Sequence, residues 1–76
     1  MGTFEEVIAF LKKYVELETG AVKEESQLKA DLGLDSLTLV SIADDAEQQF
    51  GIVIEDEELV SIRTIGDIVR IIEKNR

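Results

Sequence analysis

Apolar and polar positions along the chain recur with helical rather than strand periodicity. Phe4, Val7, Ile8, Leu11, Tyr14 and Val15 follow the i, i+3, i+4, i+7 spacing of one helix face. Thr3 with Glu6 three residues later predicts a capping box at the start of this first helix. Lys12 and Lys13 fall on its outer side, and Gly20 is the expected end of the element or of its tail. Residues 20–34 carry Gly20 and Gly33, scattered charge and little periodicity, which reads as a long loop. Leu28, Leu32 and Leu34 are expected to pin that loop to the core, with a helical turn near residues 26–30. A loop of this length inside a small domain is expected to be packed down or functional.

A second helix should begin at Asp35 or Ser36, both good N-cap residues, and run to about Phe50, with Gly51 as its stop. At 100° per residue, Leu39, Ile42, Ala43, Ala46 and Phe50 form its core stripe. Leu37, Val40, Ser41, Asp44 and Gln48 lie on another side. Leu37 and Val40 either widen the core face or make a small apolar docking patch, and the spacing leaves both open. Ile52, Val53 and Ile54 form a short apolar run with no strand to pair with, so an extended connector is expected. Residues 56–62 read as a short third helix with Leu59, Val60 and Ile62 inward and acids at its positive end. Thr64 caps a last helix with Asp67 three residues on. Ile65, Ile68, Val69 and Ile72 form its stripe, and Ile71 widens it. The expected fold is all-α: a small four-helix bundle of three main helices and one short one, with a long loop between helices 1 and 2, in one domain over residues 1–76.

Composition changes the picture by exclusion. The 76 residues hold neither cysteine nor histidine, so disulfides and ordinary zinc sites are ruled out. A chain this short buries only roughly 60% of its unfolded surface, so its core is modest. Seventeen acids against eight bases give a net charge of −9. That balance argues against nucleic acid or an anionic membrane face as partner. No apolar run approaches the ~18 residues of a membrane span. The N-terminus has no basic and apolar leader pattern, and a cytoplasmic monomer is expected.

The charge is also unevenly placed. Residues 30–62 contain no Lys or Arg but hold Asp31, Asp35, Asp44, Asp45, Glu47, Glu55, Asp56, Glu57 and Glu58. Outside that window the acids and bases cancel. An acidic field of this kind suits fast, salt-sensitive encounter with a basic partner surface.

Few enzyme templates survive. Without His or Cys there is no Ser-His-Asp or Cys-His nucleophile system. The five glycines make no phosphate-cradling loop. The acids do not follow the alternate spacing of an EF-hand, so no metal site is expected. Carboxylates are plentiful, yet a bundle this small leaves little room for a substrate cleft. No catalytic residue is assigned. What remains is Ser36 at a helix start, within Leu32-Gly33-Leu34-Asp35-Ser36-Leu37. If Asp35 caps the helix, the Ser36 hydroxyl is left free where the helix end favours a phosphate.

The stretch Asp31-Leu32-Gly33-Leu34-Asp35-Ser36-Leu37, then Val40, then Glu47-Gln48-Gln49-Phe50-Gly51-Ile52, resembles the acyl carrier proteins. Ile54, the acidic Asp56-Glu57-Glu58 turn and the closing Thr64-Ile65-Gly66-Asp67 extend the resemblance over essentially the whole chain. It implies that Ser36 carries a 4′-phosphopantetheine arm, transferred from coenzyme A by a separate Mg²⁺-dependent phosphopantetheinyl transferase. The arm's thiol would hold acyl groups as thioesters and present them to enzymes of acyl-chain synthesis or transfer. By the same resemblance, Asp35, Leu37, Val40, Ser41, Asp44, Glu47 and Asp56 fall where partners with basic patches dock. Ala46, Phe50, Ile54, Leu59 and Ile62 fall where a growing chain is sheltered.

Some positions depart from the fatty-acid type, which usually has acids at Thr38 and Ser41, an apolar residue at Asp44, Leu at Ala46 and often Pro at Glu55. These departures raise the alternative of a specialised carrier for a polyketide, a lipid modification or an unusual acyl chain. The competing class is an unmodified acidic module that binds a basic protein.

Overall fold

The computed structural model describes residues 2–76. Four helices follow in order: α1 (Thr3–Leu11), α2 (Ser36–Phe50), α3 (Asp56–Ser61) and α4 (Ile65–Asn75), with a single 3-10 turn at Thr19–Ala21. Among the described residues the one β-type contact is an isolated bridge between Gln27 and Thr64. The fold is therefore all-α, and the Ile52-Val53-Ile54 run is an extended connector as its lack of a partner required.

Helix α1 begins one residue earlier than its Thr3–Glu6 pattern suggests. Gly2 is the N-cap, and its N–H donates to the Glu5 carboxylate at 2.9 Å. Two adjacent carboxylates could each close the box, and the one set aside is engaged elsewhere. Arg76 Nη2 donates to Glu6 Oε1 at 2.9 Å, tying the C-terminus to the first turn. The helix also stops at Leu11, short of its apolar stripe. Tyr14 and Val15 continue the stripe through a turn whose amides return to Leu11, and both still pack on the core. Gly20 lies in the 3-10 turn and does not end a helix.

Most of the core comes from α1 and α4, which pack against each other. Val7, Ile8, Phe10 and Leu11 meet Ile65, Ile68, Val69, Ile71 and Ile72, with Ile42, Ala46 and Ile52 closing the third side. Among the described residues no polar or charged side chain is buried. Thr64 caps α4 by accepting the Asp67 N–H at 3.2 Å, while Asp67 accepts from Arg63 and Thr64. Asp67 also pairs with Arg70.

The long loop is stitched down by backbone as well as by leucines. Leu28 is fully buried, Leu34 is buried, and Leu32 is half-buried. Leu28 N–H donates to Arg63 C=O at 2.9 Å, and Gly66 N–H donates to Glu24 C=O at 2.8 Å. A side chain at Gly66 would bring a Cβ within 3.1 Å of that same Glu24 oxygen, a tight contact that the loop backbone must yield to accommodate. Gly33, at φ +73°, turns the chain into the start of α2.

Helix α3 departs from expectation on one point. Val60 faces solvent at 78% exposure, while Leu59 and Ile62 are half-buried. The helix spans six residues and buries no side chain fully, so the neighbours of a short apolar run decide which members turn inward.

Candidate functional site

Asp35 takes the N-cap of α2. Its carboxylate accepts the Thr38 N–H at 2.8 Å, and this bond holds the carboxyl below its ordinary range. Ser36 is thus the first residue of the helix, with an exposed side chain that has no capping duty. Its Oγ instead accepts from Lys29 Nζ at 3.2 Å. At the other end Gly51, at φ +67°, closes α2 in the left-handed conformation expected of a C-terminal glycine.

Beside Ser36 runs a groove of about 320 Å³ between α2 and α3, lined by Lys29, Ser36, Leu39, Val40, Leu59, Val60 and Ile62. An adjoining hollow of about 350 Å³ shares Lys29, Leu39, Val60 and Ile62, and continues past Gln27, Leu28 and Arg63. Leu39, Val60 and Ile62 give the two an apolar floor in common, and Lys29 stands at the edge of both. Leu37, at 81% exposure, and Val40, at 46%, flank the serine on the outer surface. At these exposures neither residue widens the core face.

The remaining expected site residues are distributed as follows. Ser41 and Asp44 are exposed along the outer face of α2, and Asp56 is exposed at the start of α3. Asp44 and Asp56 enter none of the ion pairs among the described residues. Glu47 is half-buried and holds the connector, its carboxylate accepting the Ile54 N–H at 2.7 Å. Leu59 and Ile62 line the groove. Ala46, Phe50 and Ile54 do not: Ala46 is buried in the core, and Ile54 packs half-buried against it. Phe50 meets Phe10 edge-on at 5.7 Å and lines a separate hollow with Glu6, Ala9, Lys13 and Gln49. Lys29, Leu39 and Val60 were missed as groove residues. Leu39 carried the signal of core periodicity, whereas Lys29 reaches Ser36 only through the folding of the loop.

Residues 5–72 match the family described as the phosphopantetheine attachment site. The chain is 40% identical over 76 residues to the acyl carrier protein of Wolinella succinogenes, covering all of both chains. The chain belongs to the acyl carrier protein family. It is also 42% identical to the meromycolate extension acyl carrier protein of Mycolicibacterium smegmatis, over 96% of this chain and 78% of that one. A solved acyl carrier protein from Enterococcus faecalis superposes with a TM-score of 0.83 at 26% identity, covering both chains in full.

The cofactor of this family is phosphopantetheine. The chemistry at the start of α2 fits a phosphate ester. The hydroxyl is exposed and relieved of capping, an ammonium stands within hydrogen-bond reach, and the first-turn N–H groups of a helix favour an anion. An acyl carrier protein bears its cargo rather than transforming it, and its partners are among the enzymes of acyl-chain metabolism. Among the described residues no helix is long and apolar enough to cross a membrane.

Proposed function

We propose that Ser36 is the residue that carries 4′-phosphopantetheine, and that the chain holds acyl groups as thioesters on that arm. The observation that carries this reading is the division of labour at the start of α2: Asp35 caps, so Ser36 Oγ is left exposed. No histidine stands beside the hydroxyl, so its activation belongs to the transferase. The hydroxyl oxygen forms the new bond to phosphorus and gives its proton to a base of that enzyme, while the nucleotide part of coenzyme A leaves. Since the chain has no cysteine, the arm's thiol is the only one that an acyl group can reach.

Partners are acyl-chain enzymes with basic patches, met in the cytoplasm by a monomeric carrier. Support comes from the exposed Leu37 and Val40 beside the serine and from Asp44 and Asp56 around them. Exposed charges of this kind raise encounter rates and weaken with salt, which suits a shuttle that must also let go. Leu59 and Ile62, on the wall of the α2–α3 groove, are where an acyl chain finds apolar shelter. Incubation with a broad phosphopantetheinyl transferase, Mg²⁺ and coenzyme A tests the assignment by intact mass. Wild type should gain one phosphopantetheine and Ser36→Ala none.

A specialised acyl chain is the second reading, favoured by Asp44, an exposed charge on the docking face of α2. The similarity to a meromycolate extension carrier is as high as to a general one. Asp44→Met should then speed elongation by general fatty-acid enzymes several-fold. Unchanged elongation would remove this reading.

A further inference from the structure

Lys29 stands immediately before the base-free window, and its charge acts on the nearby Asp35 carboxylate without closing an ion pair. Lys13, Arg70, Lys74 and Arg76 each enter an ion pair; Lys29, like Lys12, Lys23 and Arg63, enters none among the described residues, and of these four it is the one that reaches Ser36. Its Nζ donates to Ser36 Oγ at 3.2 Å. The backbone that delivers it is fixed on both sides. Leu28, the preceding residue, is fully buried and bonded to Arg63 C=O, and Lys29 C=O accepts the Gly33 N–H at 3.1 Å. The lysine therefore sits on the rim of the groove, over Leu39, Val60 and Ile62.

A phosphate carried on Oγ has its charged oxygens two bonds beyond the atom that Lys29 already contacts. An ammonium is a point charge that binds phosphate without a fixed fork geometry, so it follows the oxygens with a small side-chain movement. It also offsets repulsion between a phosphodiester and the Asp35 carboxylate next in sequence.

We propose that Lys29 is a positioning residue for the arm: it pairs with the phosphodiester on Ser36 and directs the arm along the α2–α3 groove instead of outward. This inference rests on Ser36 as the attachment site. The pair is exposed, so it commands a preference of only a few-fold and is screened by salt. The arm thus lies over Val60 and Ile62 at rest and remains free to leave for a partner enzyme.

The test loads wild type, Lys29→Gln and Lys29→Arg with transferase, Mg²⁺ and coenzyme A, and checks each by intact mass. Contacts between the pantetheine geminal methyls and the Val60 and Ile62 methyls are then read as NMR cross-peaks. Lys29→Gln should weaken them about threefold, the population change an exposed ion pair commands. Lys29→Arg should retain them, and added salt should weaken them in wild type but not in Lys29→Gln. Equal cross-peaks in wild type and Lys29→Gln overturn the assignment of Lys29 alone. A Lys29→Gln chain that resists loading also overturns it, because the lysine then acts on the transferase step. A wild type that gains no mass overturns the attachment reading itself.

Discussion

Helices α1 and α4 bury Val7, Ile8, Phe10 and Leu11 against Ile65, Ile68, Val69, Ile71 and Ile72. Helices α2 and α3, of nearly equal combined length, bury only Ile42, Ala43 and Ala46, all on α2. The first pair is locked at its ends by the Arg76–Glu6 ion pair and the Thr64–Asp67 box. The second pair exposes Leu37, Val40 and Val60 around a serine with no capping duty and lies in the stretch without bases. Burial is thus concentrated on one pair of helices and apolar exposure on the other. Under the proposed function, that separation lets a docking face be apolar, acidic and loosely packed while the fold rests elsewhere.

Truncations should break the comparison most visibly. Ile72→Ala empties a fully buried site between α1 and α4 and should cost about 2–5 kcal/mol. That is a large part of the ~5–15 kcal/mol available to a small domain. Val60→Ala on the exposed face of α3 should change stability by less than about 0.5 kcal/mol. Denaturant midpoints measure both, and equal losses would mean that α3 is part of the scaffold after all.

The next effect is at the seam. Gly66→Ala forces a Cβ to within 3.1 Å of the Glu24 carbonyl and should cost about 1–3 kcal/mol. The loss should appear together with faster hydrogen exchange at Leu28, whose amide is bonded to Arg63 across the same seam.

How much of this was legible in the sequence depended on the kind of interaction. The α4 stripe, the Thr64 cap and the Gly51 stop are local, and periodicity and capping chemistry located them; for the cap of α2 they left Asp35 and Ser36 open. The N-terminal shift from Thr3 to Gly2 was hidden, because Glu5 and Glu6 both suit a first turn and only Arg76, seventy residues away, distinguishes them. Val60 was misplaced because six residues make too short a helix to define a face. The approach of Lys29 to Ser36 depends on main-chain bonds and on the left-handed turn at Gly33, which leave no side-chain pattern to read.

A smaller effect sharpens the link between the two halves. Tyr14 donates to Asp45 Oδ2 at 2.6 Å, and Lys13 Nζ reaches the same oxygen at 3.0 Å. The bond to the Asp45 carboxylate, followed by burial, pushes the Tyr14 hydroxyl up to about 12. A raised value in the folded state means that this contribution is complete below about pH 10, the ordinary tyrosine value, and is lost as pH rises towards 12. Tyr14→Phe should therefore lower stability at neutral pH, and its deficit against wild type should shrink across that alkaline window. Denaturant midpoints at stepped pH provide the measurement, and a constant deficit would disconnect the bond from the titration.

The central claim, that α2 presents one modifiable hydroxyl on a scaffold indifferent to it, is tested most directly by intact mass after incubation with a phosphopantetheinyl transferase, Mg²⁺ and coenzyme A. Wild type should gain a single phosphopantetheine, and Ser36→Ala should gain none while keeping the wild-type melting temperature. A wild type that stays unmodified where a control carrier is loaded, or a Ser36→Ala chain that still gains the mass, would contradict it.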